Sequence, residues 1–98
     1  MITEFNEIKY KEYTFVLQEC IEMKVTYKDD MLIGYNDEFD LWISNDNIKT
    51  LKKQFQEYFY YLWREYCMEE SRNLSEPGRK LKHMIKSYVS RVVIDYKE

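Results

Sequence analysis

Carboxylates are the side chains of this sequence whose types and spacing could do chemistry. Asp37, Glu38 and Asp40 crowd one stretch that reads as a turn, and Asp29 and Asp30 crowd another. Glu65, Glu69 and Glu70 gather near the end of a long helical pattern. Like charges four apart on a helix cost a few tenths of a kcal/mol, and carboxylates at a helix C-terminus oppose the macrodipole. Positions that break local rules are where functional sites tend to sit. Exposed carboxylates accept paired hydrogen bonds from arginines that otherwise hold phosphate or guanine. The chemistry expected of such a set is recognition of a basic protein surface, the acids standing in for nucleic acid.

Two other groups of residues offer different chemistry. Arg79, Lys80, Lys82, Lys86 and Arg91 fall in the last helical pattern and could contact phosphates, which makes a nucleic-acid-binding regulatory module the alternative reading. Tyr60 and Tyr61, with Met68 and Arg64 nearby, lie off the apolar face of the long helix. Tyr, Met and Arg are enriched at protein interfaces, so these two tyrosines are candidate partner-binding residues or the seam of a homodimer. The charge is polarised along the chain. Residues 19–46 hold eight acids against Lys24 and Lys28, and residues 71–98 hold seven bases against three acids.

Signatures of catalysis are missing, and an enzyme is not expected. The two glycines, Gly34 and Gly78, stand alone and cannot form a phosphate-cradling loop, and there is no G-x-S-x-G elbow. His83 is the one histidine and sits in a Lys/Arg-rich stripe that reads as solvated. Cys20 and Cys67 lie far apart without a C-x-x-C, so free thiols are expected and no metal or cofactor site is. The net charge of −3 gives no global pull toward nucleic acid or anionic lipid. No apolar run approaches the roughly 18 residues of a membrane helix. Glu4, Glu7 and Lys9 interrupt any apolar leader, so a cytoplasmic location is expected.

The elements that must position these residues follow from periodicity. Ninety-eight residues, 45% hydrophobic and 34% charged, argue for one domain over 1–98. Ile2, Phe5 and Ile8 recur at a spacing of three behind Thr3, which predicts a short N-terminal helix. Residues 12–44 alternate, most cleanly at Ile21, Met23, Val25 and Tyr27, and predict a three- to four-stranded antiparallel meander with turns at Lys28–Asp30 and Asn36–Glu38. From Ser44 the period becomes 3.6: Ile48, Leu51, Phe55, Tyr58, Phe59, Leu62 and Tyr66 predict a helix to about Glu70. Ser71–Arg79 reads as a loop. Ser75 and Pro77 open a second long helix with Leu81, Met84, Ile85, Tyr88, Val89, Val92 and Tyr96 on its apolar face. The expected fold is α+β, with one short helix before the sheet and two long amphipathic helices after it.

Certain segments resemble a family. Phe5-Asn6-Glu7-Ile8-Lys9-Tyr10-Lys11-Glu12-Tyr13-Thr14-Phe15-Val16-Leu17 resembles the opening of a small phage-encoded anti-CRISPR family that inhibits type II-A Cas9. Asp37-Glu38-Phe39-Asp40-Leu41-Trp42-Ile43-Ser44, followed by a long aromatic helix, is similar to that family's last strand and main helix. Arg64-Glu65-Tyr66-Cys67-Met68-Glu69-Glu70 resembles its acidic exit. The resemblance covers about two-thirds of the chain; beyond Glu70 this sequence departs from it by turning basic. It implies a short helix, an antiparallel sheet and two further helices. It also implies DNA mimicry, in which carboxylates occupy the arginines that read the PAM. Carried over, Asp37, Glu38, Asp40, Glu65, Glu69 and Glu70 are the residues it implies here. The expected partner is then a host protein such as Cas9 or another CRISPR effector, with no membrane and no small-molecule substrate.

Overall fold

Alternation of apolar and polar residues makes the first half of the chain a set of strands. A computed structural model describes residues 1–96. Strands β1 (Ile2–Tyr10), β2 (Tyr13–Lys28), β3 (Met31–Asn36) and β4 (Leu41–Asn45) follow one another as an antiparallel meander in the order β1-β2-β3-β4. Along β2, Phe15, Ile21, Met23 and Val25 are buried while Glu22, Lys24 and Thr26 are exposed. One face of the sheet is therefore core and the other meets water. Helix α1 (Ile48–Leu62) and helix α2 (Glu76–Tyr88) cover the apolar face, and strand β5 (Val89–Ile94) returns to pair with β2.

The core is aromatic. Phe15 meets Phe59 edge-on at 5.2 Å between centroids, Phe5 stacks on Phe55 at 5.2 Å, and Phe39 bridges Phe59 and Tyr88. Ile8, Phe15, Leu51, Phe55, Phe59 and Ile85 are wholly buried, and each contributes about 1.5–3 kcal/mol. Helix α1 packs on β1, β3 and β4, and α2 on β2 and β5. Asn47 caps α1, its Oδ1 accepting from Lys49 N at 2.9 Å and Thr50 N at 3.1 Å. Ser75 caps α2, its Oγ accepting from Gly78 N at 3.3 Å, with Pro77 in the first turn.

Three expectations are corrected. The first segment is strand β1, not a helix. Phe5 and Ile8 are both buried because the β1–β2 pairing shifts between Phe5 and Glu7: Phe5 faces Ile21, and Glu7 faces Val16. That irregularity lets two residues three apart point the same way within a strand. The last helix ends at Tyr88, and Val89–Ile94 is a fifth strand. Leu17 faces Val89 while Val16 faces Arg91, so Ser90 is an extra residue that puts Val89 and Val92 on one side. The sheet thus has five strands, not three or four. The first long helix begins at Ile48, four residues after the period changes at Ser44, since Ser44 and Asn45 complete β4. It passes into a π-helical turn at Trp63–Cys67, closed by Met68 N donating to Trp63 O, and does not reach Glu70. A 3-10 turn at Ser71–Asn73 then leads to α2.

Candidate functional site

Strand β2 is sixteen residues long and is shared unequally by its neighbours. β1 runs along one edge. On the other edge, β5 pairs with Tyr13–Leu17 and β3 with Lys24–Lys28. Between them Gln18–Met23 has no strand partner on that side among the described residues, which leaves a notch in the sheet. Side chains bond across its flanks. Asn36 Nδ2 donates to Glu22 O at 2.8 Å, and Gln18 Nε2 donates to Ser87 O. Ser90 Oγ donates to Val16 O at 3.0 Å.

The notch is acidic. Glu19, Glu22, Asp37 and Glu38 line a cavity of about 300 Å³ together with Cys20, Lys24, Tyr35 and Tyr88. That volume is at the lower limit of ligand clefts and suits a single side chain. Tyr88, the last residue of α2, donates its hydroxyl to Glu38 Oε2 at 2.6 Å and so ties the helix end to the β3–β4 turn. That hydrogen bond holds the phenol protonated. With burial and the charges of Glu38, Glu19 and Glu22 it pushes the Tyr88 pKa up to about 12. Glu4 stands directly opposite Glu22 in the β1–β2 register, outside the cavity lining. Among the described residues Lys24 is the one cation lining the cavity, and it also lies over the Tyr35 ring at 6.0 Å. Among the described residues no group of three or more His, Cys, Asp or Glu side chains is placed to hold a metal ion. The carboxylates line walls; they do not converge on a point.

The structure divides the acids singled out from the sequence. Asp37 and Glu38 belong to the notch. Asp40 shares their turn but lies outside the cavity lining, with a left-handed backbone at φ 50°. Asp29 and Asp30 are at the opposite end of β3, in the β2–β3 turn. Both have left-handed backbone, φ 53° and 63°, which a two-residue hairpin of this kind requires and Asp tolerates. Asp30 also accepts from Tyr27 OH at 3.2 Å. Their acidity is explained by the turn.

Glu65, Glu69 and Glu70 do not join the notch either. Glu69 accepts from Asn73 Nδ2 at 2.8 Å and from Glu70 N at 3.0 Å, bonds that pull its pKa below the usual carboxylate value. Glu70 pairs with Arg72 at 2.5 Å. Glu65 is exposed on the π-helical turn. The expectation of a single patch built from hairpin and helix-end acids is therefore corrected. Glu19 and Glu22, absent from the sequence-based site, take the place of the helix-end acids. Their signal was the acidic stretch 19–46; the β2–β3 pairing, with Lys24 opposite Tyr35, and the bond of Asn36 to Glu22 O bring that stretch against Asp37 and Glu38.

Tyr60 is buried, packed against Tyr10 at 4.8 Å and Tyr13 at 5.0 Å, and cannot meet a partner. Tyr61 stays 42% exposed. Its hydroxyl beside that of Tyr10 raises the Tyr10 pKa to about 12, burial and nearby Glu57 adding to the effect.

The basic residues are also divided. Lys80 pairs with Glu76 at 3.8 Å, Lys82 donates to Glu69 O at 2.5 Å, and Arg79 donates to Ser71 O at 3.4 Å. Lys86 is exposed on α2. Arg91 lies on β5, not on the helix. No described helix is long and apolar enough to cross a membrane. Comparison of the chain with protein-family models, with curated proteins and with solved structures gives no match.

Proposed function

We propose that this protein is a non-enzymatic binding protein, an inhibitor that acts by occlusion, and that its acidic notch accepts arginine or lysine side chains of a partner. The partner class is a nucleic-acid-handling protein, whose basic residues otherwise hold phosphate. A CRISPR effector such as Cas9 is the instance to which the sequence resemblance points. One observation carries the reading: Glu19, Glu22, Asp37 and Glu38 share one cavity with a single lysine. Like charges held together at a surface are not explained by stability. A guanidinium entering the cavity would gain charge-assisted hydrogen bonds there, and its charge would relieve the repulsion.

The test is DNA cleavage by a type II-A Cas9 with and without the protein. Its control is a variant in which Glu19, Glu22, Asp37 and Glu38 are replaced by Gln or Asn. Inhibition by the wild type, lost in a variant that melts at the same or higher temperature, supports the reading. Absence of inhibition removes Cas9 as the partner. Equal inhibition by both proteins removes the notch.

A second reading rests on α2, where Arg79, Lys80 and His83 line one shallow exposed groove. Phosphate contacts there would give nucleic-acid affinity that falls steeply with salt. A gel shift at low salt that leaves DNA and RNA unretarded eliminates it.

A further inference from the structure

A surface separate from the notch lies two strands away, on the outer edge of β4. The two edges flanked by α1 are treated differently. On the β1 side, Gln56 of α1 reaches over and its Oε1 accepts from the main-chain N–H of Lys9 at 2.9 Å. On the β4 side, Gln54 of the same helix has a buried Oε1 with no hydrogen-bond partner. It lies in a groove of about 340 Å³ lined by Ile33, Trp42, Ile43, Ser44 and Tyr58. A buried acceptor without a donor costs about 1–3 kcal/mol, so native proteins rarely keep one. Among the described residues β4 pairs only with β3. Its residues Leu41-Trp42-Ile43-Ser44-Asn45 hold no Pro, Lys or Arg, the usual means of blunting an edge. Trp42 and Tyr58 remain 58% and 46% exposed.

We infer that the outer edge of β4 takes an extended segment of a partner protein as a sixth strand, Gln54 turning its side-chain amide toward the groove so that Oε1 accepts a main-chain N–H of that segment. The charge around the edge selects the occupant. Asp40 and Asp46 flank β4, one at each end of the strand. A second copy paired antiparallel through β4 would bring Asp40 of one chain toward Asp46 of the other, like against like. A segment with a basic residue at each end and a β-branched residue between them complements both the acids and the Trp42 side chain. Main-chain bonds supply affinity in this mode and the flanking pockets supply selection.

The experiment uses the full chain, isotope-labelled for NMR, with the peptide acetyl-Lys-Val-Thr-Val-Thr-Val-Lys-amide at millimolar concentration. Two control peptides carry Glu in place of both Lys, or N-methyl groups on alternate amides. The lysine peptide is expected to protect β4 amides from hydrogen exchange and to bind about tenfold more tightly than either control. Gln54→Leu is expected to leave the melting temperature unchanged or raised, since it removes the orphan acceptor, while weakening the peptide about tenfold. A merely structural glutamine would do the reverse, losing melting temperature at constant affinity, and that result overturns the proposal. So does equal binding of all three peptides, absence of protection at β4, or concentration-dependent pairing of β4 without peptide. The acidic notch would also favour the lysine peptide, so the affinities are compared in the variant with Glu19, Glu22, Asp37 and Glu38 replaced by Gln or Asn. Protection at β4 and the Gln54→Leu effect do not involve the notch, so the two readings fail separately.

Discussion

Glu22 faces Glu4 across the β1–β2 pair and shares its cavity with Glu19, Asp37 and Glu38, so Glu22→Gln removes repulsion while keeping shape. Its main-chain oxygen, which accepts from Asn36, is untouched by the change. Like charges directly opposite in a sheet cost about 0.2–1 kcal/mol, and a mid-range gain of about 0.5 kcal/mol raises the melting temperature of a domain this size by roughly 2–4 °C. The gain is electrostatic and must fade with salt, because the screening length falls from about 10 Å at 0.1 M to about 3 Å at 1 M. Urea denaturation is the assay, since urea carries no charge. Wild type and Glu22→Gln are compared in low and in molar salt, with Lys24→Gln as the opposite-sign control. A higher midpoint for Glu22→Gln in low salt, converging on wild type in high salt, is expected. A variant less stable than wild type in low salt would refute the reasoning, and so would a gain that salt does not change.

Three more outcomes follow from particular contacts. Gly34→Ala places a Cβ 2.7 Å from Met23 Sδ and 3.2 Å from Leu51 Cδ2, both in the fully buried core, so it should cost about 1–3 kcal/mol by urea denaturation. Cys20 is exposed whereas Cys67 is buried with its thiol pushed up to about 11 by desolvation, so maleimide should label one thiol in the native protein and two after unfolding, with mass spectrometry locating the first at Cys20. Tyr88→Phe deletes the bond to Glu38 and should cost about 1 kcal/mol near neutral pH. The raised Tyr88 pKa means that its stabilisation is complete below about pH 10, the ordinary tyrosine value, and is lost as pH climbs toward about 12. Unfolding curves across that window should fall less steeply for the variant, Tyr10 accounting for the remainder.

The parts of the fold legible in the sequence were those with unbroken periods. Ile21, Met23 and Val25 alternate into the core of β2, and Leu51, Phe55 and Phe59 mark the buried face of α1. Ser75 and Pro77 open α2 where the cap chemistry puts them. The failures over the first segment and over Val89–Ile94 share one cause. Phe5 with Ile8, and Val89 with Val92, are three apart and face the core, which is helical arithmetic. In the structure each pair spans a break in strand register, and an irregular strand imitates a helix over so few residues. The β-branched run Val92-Val93-Ile94 was the available counter-signal. Misreading β5 also hid the site. With no strand against Tyr13–Leu17 there is no notch, and Glu19 and Glu22 look like solvated charge. Asp29 and Asp30 stand apart from the notch, and the left-handed backbone of their two-residue turn accounts for the residue type there. Tyr60 lies off the α1 stripe yet is buried, because the β1–β2 hairpin folds Tyr10 and Tyr13 over it.

The claim at the centre of this account is that the notch between β3 and β5 binds cationic side chains. A titration of the isotope-labelled protein with an arginine-bearing peptide tests it most directly. Shifts confined to residues 19–24, 36–38 and Tyr88, weakening as salt rises, are the predicted result. Shifts scattered over all the acidic turns, or absent from the notch while Glu69 and Glu70 respond, would contradict it.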